Sequence, residues 1–281
     1  MFMEYTKSPR SSLKGIFPTA HMKCFRQSLR VLTLPIVLSA VSASIAAQDH
    51  VIVQPKRVVI IRTGKVARDF PERRKAIVRY PIVRGLTDTT ALRRIQNTLA
   101  LKNVSGSTLT EYRREAGLLS FDYKIDHNKN YLLDITFTEE TEGAYPDTQT
   151  KHFLISLKNG RAIKAADAFN PESLAVLARL ADKKLKDEIK ELLQANAEDK
   201  SSDADQKSMV KDQLSELKFG VKDLDEFSVN DQGVTFLYDA GFPHAIRALQ
   251  PAGEYFFSYA ELQPHIKRNG PLGIWLLRKD A

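Results

Sequence analysis

Beyond its first 47 residues the sequence has no cysteine; Cys24 is the only one in the chain. Disulfides, a catalytic thiolate and cysteine-ligated metal are therefore excluded from the rest, even in a compartment that permits disulfides. Stability must come from burial alone. Long apolar runs are also scarce. The one candidate lies between Val31 and Ala47, where Thr33, Pro35, Ser39, Ser42 and Ser44 dilute it, and a spanning helix needs about 20 predominantly apolar residues. Clustered positive charge is missing as well. Of the eight net positive charges, five belong to the leader (Lys7, Arg10, Lys14, Lys23, Arg26 and Arg30 against Glu4), so three remain for everything after it. Nucleic-acid binding leaves a clustered basic footprint, and no such cluster follows the leader, so nucleic acid is excluded as a partner.

What the N-terminus does have is an ordered pattern. Met22–Arg30 is basic, Val31–Leu38 is apolar, and Ser39–Ala47 is rich in small residues. That order marks a secretory signal peptide over residues 1–47, with Met22 as a second candidate start and cleavage near Ala46 or Ala47; the alternative is a leader retained as a membrane anchor. The expectation is a periplasmic or secreted protein with no stable membrane span after cleavage. The residues that follow suffice for one large domain or two small ones.

Alternation and turn chemistry divide this remainder. Val51–Val53 and Val58–Ile61 read as short β-segments broken by Pro55, and the charged stretch Arg68–Lys75 as a loop. A strand is expected at Ala76–Val83. A helix capped by Asp88 or Thr89 should follow, running to about Lys102 with Leu92, Ile95 and Leu99 on one face. Leu119, Phe121, Tyr123 and Ile125, then Tyr131, Leu133, Ile135 and Phe137, have the period of two strands, joined by a hairpin at His127–Asn130. Phe153–Leu157 is a further strand ending at the Asn159-Gly160 turn. The strongest helix starts at Asn170-Pro171 and carries Leu174, Leu177, Ala181, Leu185, Ile189 and Leu192 as one stripe, suited to lying across a sheet. Ala195–Ser208 is polar and reads as a loop or frayed end. Phe227–Val229 and Val234–Tyr238 form a second hairpin, Glu254–Ser258 a strand, Tyr259–Lys267 a short helix, and Ile274–Leu277 a closing strand. Strands in runs, interrupted by two or three amphipathic helices, give an α+β fold with a mostly antiparallel sheet.

The segment from Phe137 to Thr148, followed by Leu157-Lys158-Asn159-Gly160-Arg161, Asp167-Ala168-Phe169 and the long helix, resembles the C-terminal domain of RsiV-like extracytoplasmic proteins, the type called domain of unknown function 3298. The end is similar too: Pro251-Ala252-Gly253-Glu254 leads into a strand and then Tyr259-Ala260-Glu261-Leu262. Tyr145 stands where many relatives carry histidine. Residues 76–140 resemble the companion unit that precedes the catalytic domain of the deacetylase PdaC. The resemblance implies an N-terminal extension over 48–75, an N-terminal α+β unit over 76–142, and a C-terminal recognition domain over 143–281. In the RsiV branch the ligand is lysozyme.

Motifs for chemistry are few. His50, His127, His152, His244 and His265 stand at no metal-binding spacing, so no metal or cofactor is expected. Ser208-Met209-Val210-Lys211 spells Ser-x-x-Lys but lacks the companion motifs of that chemistry, and no catalytic residue is assigned. Glu139, Glu140, Glu142 and Asp147 gather around a turn; this acidic group could serve acid–base work on a glycan in a cell-wall hydrolase or deacetylase. The preferred reading is a non-enzymatic binding module for a protein or a peptidoglycan component, with a structural envelope accessory as a further alternative. Its candidate recognition residues are Tyr145 and Asp147 on one loop and Phe242 and His244 on another, since aromatic anchors dominate binding hot spots.

Overall fold

The computed structural model describes residues 49–115, 117–143, 145–198 and 203–277. The signal-peptide reading, residues 1–47, lies outside them. The chain order is β1 (Ile52–Ile61), α1 (Gly64–Asp69), β2 (Lys75–Arg84), α2 (Thr89–Thr98), α3 (Leu101–Ser105), α4 (Leu109–Arg114), β3 (Leu118–Lys129), β4 (Leu132–Glu142) and β5 (Pro146–Ser156). Then come α5 (Ala165–Ala168), α6 (Leu174–Glu198), α7 (Ala204–Glu216), β6 (Phe227–Val229), β7 (Gly233–Leu237), β8 (Glu254–Ser258), α8 (Tyr259–Leu262) and α9 (Ile274–Leu277). Strands β1 to β5 form one sheet in sequence order, and β6 to β8 a second. Among the described residues only the short β2–β3 pairing is parallel, so the fold is α+β and mostly antiparallel.

Pro55 does not break the first strand. β1 runs through it, with Pro55 directly opposite Pro81 of β2. Two prolines can face each other where the ladder uses neither amide, and β1 is a sheet edge where a missing N–H is tolerated. The stretch Arg68–Lys75 is not a loop either: it holds the end of α1, a 3₁₀ turn at Pro71–Arg74 and the start of β2. The expected helix after Asp88 is present and capped as read, the Asp88 carboxylate accepting from Thr90 N–H and Ala91 N–H at 2.8 and 3.0 Å. It stops at Thr98, and α3 resumes after Ala100.

β3 and β4 are longer than their alternating cores, and their hairpin turns at Asn130-Tyr131, both at positive φ as a two-residue primed turn requires. β5 begins at Pro146 and pairs with β4 over its full length, from Glu142–Pro146 to Leu132–Ser156. Hydrogen bonding thus continues across the 142/143 boundary expected from the sequence.

Two apolar cores result. One lies between the first sheet and α2 to α4 and includes Val78, Ile95, Tyr112, Phe121, Ile135, Phe137 and Ile155. The other joins α6 and α7 to the second sheet. Its centre is aromatic: Phe169 lies 5.8 Å from both Phe227 and Phe236, and Phe219 packs 5.9 Å from Tyr255. The stripe of α6 faces it as expected, with Leu177, Ala181, Leu185 and Ile189 buried, each leucine stabilising by roughly 1.5–3 kcal/mol. Leu132 and Leu154, on the opposite face of the first sheet from Ile135, belong to this second core and bind the two halves together. The polar stretch after Ala195 is largely helical, as the end of α6 and the start of α7. Ile274–Leu277 is a helical turn, not a strand. Among the described residues no helix is long and apolar enough to cross a membrane.

Candidate binding groove

The even-numbered residues of β4 and β5 face the second half of the chain, and one charged residue among them is buried. Asp134, near the start of β4, is fully buried. A buried carboxylate needs several donors to offset its lost hydration. Asp134 has three: His152 Nε2 on β5 at 2.5 Å, and Ser228 Oγ and Val229 N–H on β6 at 2.8 and 2.7 Å. This carboxylate ties both sheets together. Its residue types are those of a hydrolytic triad, but their order is wrong for that chemistry. The carboxylate sits between histidine and serine, so the hydroxyl donates to the acid and, among the described residues, no histidine accepts its proton.

Beside this junction lies a groove of about 620 Å³. One wall is Thr148–His152 of β5. The other holds Glu226 and the segments around Tyr238–Gly241 and Ala252–Glu254, with Arg247 and Gln250 among its lining. The far wall is built by close backbone contact. Tyr238 N–H donates to Gly253 O at 2.8 Å, and a Cβ on Gly253 would stand 2.0 Å from Tyr238 O. From behind, Glu188 of α6 accepts from Ala252 N–H at 2.6 Å and from the Tyr255 hydroxyl at 3.1 Å. Burial, with the nearby Glu188 charge, pushes the Tyr255 phenol well above its ordinary value.

The structure brings part of the expected site together. Asp147 and Arg247 form an ion pair that links the start of β5 to the 3₁₀ turn His244–Leu249, so the two candidate loops meet at this groove. Tyr145 is 69% exposed at the tip of the β4–β5 turn. Phe242, expected on the surface, is 1% exposed and belongs to the second core, a pin of the loop and not a surface anchor. An aromatic residue between glycine and proline fits either role, and apolar burial decides it. His244 falls in the 3₁₀ turn; its side chain lies outside the described residues.

The acidic residues at the β4 end have separate partners. Glu139 and Glu140 are neighbours in β4 and so face opposite sides of the sheet. Glu139 accepts from the Tyr112 hydroxyl at 2.8 Å, Glu140 from Ser120 Oγ at 2.7 Å, and Glu142 lies 3.6 Å from Arg73 Nε. Each is thus engaged by a different partner, and none of the three lines the groove.

No protein-family model matches the sequence, and no curated protein matches it. Solved structures do. A member of the DUF3298 family from Bacteroides fragilis NCTC 9343 aligns over 81% of this chain and 99% of its own, with a TM-score of 0.51 at 13% identity. The chain has a DUF3298-type fold. A DUF3298 family protein from Pseudomonas aeruginosa PAO1 aligns over 79% of this chain and 95% of its own, at 16% identity with a TM-score of 0.47.

Within the DUF3298-type fold, the segments that carried the sequence resemblance are mainly structural. Ala168 and Phe169 are completely buried. Tyr259 stacks on Trp275 with ring centres 4.8 Å apart and donates its hydroxyl to Asn230 O, while Leu262 enters the second core. Asp134, His152 and Ser228 were not singled out from the sequence. The available signal was a lone carboxylate inside the apolar alternation Leu132-Leu133-Asp134-Ile135, which requires a buried partner.

A second recess of about 520 Å³ lies by the β3–β4 turn, with Lys158 and Arg161 on its rim. Lys158 Nζ sits 4.9 Å from the Tyr131 ring centre.

Proposed function

We propose that the chain is an exported, non-enzymatic binding module that recognises a protein through the groove between β5 and the segment 238–254. The carrying observation is the Asp147–Arg247 pair, which brings two sequence-distant loops to a recess of about 620 Å³. Three things support this reading: exposed Tyr145 on the turn that leads into the β5 wall, the junction of Asp134 with groove-lining His152, and the engagement of Glu139 and Glu140 by separate partners. The walls carry Glu226, Asp239 and Glu254, which suit a cationic ligand. Lysozyme, the ligand of the RsiV branch, is the natural protein probe, and peptidoglycan the cell-wall one.

Calorimetric titration of residues 48–281 with lysozyme, alongside co-sedimentation with peptidoglycan, tests the proposal. Saturable lysozyme binding that weakens about tenfold or more in Asp239→Lys and in Tyr145→Ala is expected, a loss of the size typical for one interface anchor. Binding indifferent to both substitutions, or no binding to either probe, contradicts it.

A further inference from the structure

The first sheet ends in a strand whose outer edge is only half covered. Ile163 N–H donates to Leu154 O and Ser156 N–H to Arg161 O, both at 2.9 Å, so residues 161–163 close one end of the β5 edge. These two bonds also fix the phase of the strand. β5 pairs with β4 in an unbroken antiparallel register, so the backbone groups of Thr148, Thr150 and His152 point outward like those of Leu154 and Ser156. Among the described residues no backbone group meets them. The groove runs along this open stretch. Thr148–His152 all line it, and five consecutive strand residues, whose side chains alternate between faces, share one groove only along the strand's edge.

Exposed edges are normally blunted by proline, by charge or by a covering segment. β1, at the other end of the sheet, carries Pro55, Lys56 and Arg57. The open part of β5 lacks such protection. Its one charged residue is Lys151, whose amine crosses to the far face of the sheet and donates to Val104 O at 2.6 Å. Facing the edge are Glu226, Asp239 and Glu254, all exposed and with no cation at salt-bridge distance among the described residues. Arg247 is already paired with Asp147.

We propose that the groove takes an extended, lysine- or arginine-bearing segment of a partner protein, which adds to β5 as a sixth strand. Its main chain would meet the outward groups of Thr148, Thr150 and His152, and its cations the three carboxylates opposite. The open stretch is about 16 Å long at ~3.3 Å per residue, room for four or five residues of the segment. This inference rests on the groove being the recognition surface.

Three fluorescein-labelled octapeptides test it by anisotropy on residues 48–281: alternating Lys-Val, alternating Glu-Val, and the Lys-Val peptide with alternate amides N-methylated. The expected result is that Lys-Val binds, that Glu-Val binds at least tenfold more weakly, and that N-methylation in the edge-facing phase abolishes binding. Thr150→Pro removes an outward N–H while leaving the β4 ladder intact, and it should also weaken Lys-Val binding at least tenfold. Should that variant not fold, the N-methylated peptide decides on the unaltered chain. Equal binding of the N-methylated and parent peptides overturns the proposal, as does a free chain that already dimerises through β5 and becomes monomeric in Thr150→Pro. Lysozyme binding that depends on Asp239 but is unchanged in Thr150→Pro refutes strand addition alone. Failure of lysozyme, peptidoglycan and all peptides to bind refutes the groove reading with it.

Discussion

Replacing Asp134 with alanine removes the acceptor on which the two sheets converge. Three donors lose their partner: Val229 N–H, His152 Nε2 and Ser228 Oγ. Val229 and the His152 side chain are more than nine-tenths buried, so water does not readily replace the carboxylate, whereas Ser228 is half-buried and can be rehydrated in part. A stranded buried donor costs about 1–3 kcal/mol. Two such donors and a fraction of the third give roughly 3–6 kcal/mol of destabilisation, against a total of about 5–15 kcal/mol for a typical domain. Asp134→Asn keeps one carbonyl oxygen but turns an NH₂ toward a donor, and about half that loss is expected. Urea unfolding followed by circular dichroism, compared at constant slope, supplies the measurement. A double-mutant cycle with Ser228→Ala should return a coupling of about 0.5–3 kcal/mol, as for residues in direct contact. A loss below about 1 kcal/mol for Asp134→Ala would refute the view that this carboxylate holds the sheets in register.

Arg62 is almost fully buried and donates to three backbone carbonyls, Tyr112 O, Arg73 O and Leu118 O, with burial lowering its guanidinium pKa. Arg62→Met should destabilise by about 2–4 kcal/mol in thermal or urea unfolding, because the acceptors stay buried without donors. Gly253→Ala adds a Cβ 2.0 Å from Tyr238 O at a φ of 70°, while Gly106→Ala at a φ of 82° meets open space. The second should lose about 1–2 kcal/mol, the strain of a left-handed alanine, and the first clearly more, together with groove binding. His127 is 5% exposed, and burial, then the Lys129 charge, lowers its pKa against the weaker opposing pull of Asp231 and Asp134. The unfolded chain takes up a proton near the ordinary histidine value of about 6.5 that the folded chain accepts only at lower pH, so stability falls as the pH drops through that value and is level above it. His127→Phe should flatten the slope between about pH 7 and 5.

Where one local signal outweighs all others, the sequence is readable. The alternation of β3 and β4, the β6–β7 hairpin and the stripe of α6 each follow from one period repeated over several residues. Misreadings fall where a short signal depends on its surroundings. Pro55 looked like a breaker but lies opposite Pro81 at a sheet edge. Ile274–Leu277 is as apolar as a strand, yet it coils into a helical turn that stacks Trp275 on Tyr259. The groove was legible only in part, for the same reason. Asp147 and its loop stood out as a turn bearing a carboxylate, but its partner Arg247 is a hundred residues away. Asp134 and Ser228 are 94 residues apart, and no local pattern joins them. Phe242 shows that an aromatic residue in a glycine–proline turn is assigned to core or surface by packing alone.

Strand addition to β5 is tested most directly by amide hydrogen exchange of residues 48–281 with and without the Lys-Val octapeptide. The amides of Thr148, Thr150 and His152 should gain protection, while Gln149 and Lys151, already in the ladder to β4, should change little. Protection that appears equally on both sets, or at none of the five, would contradict a sixth strand in the groove.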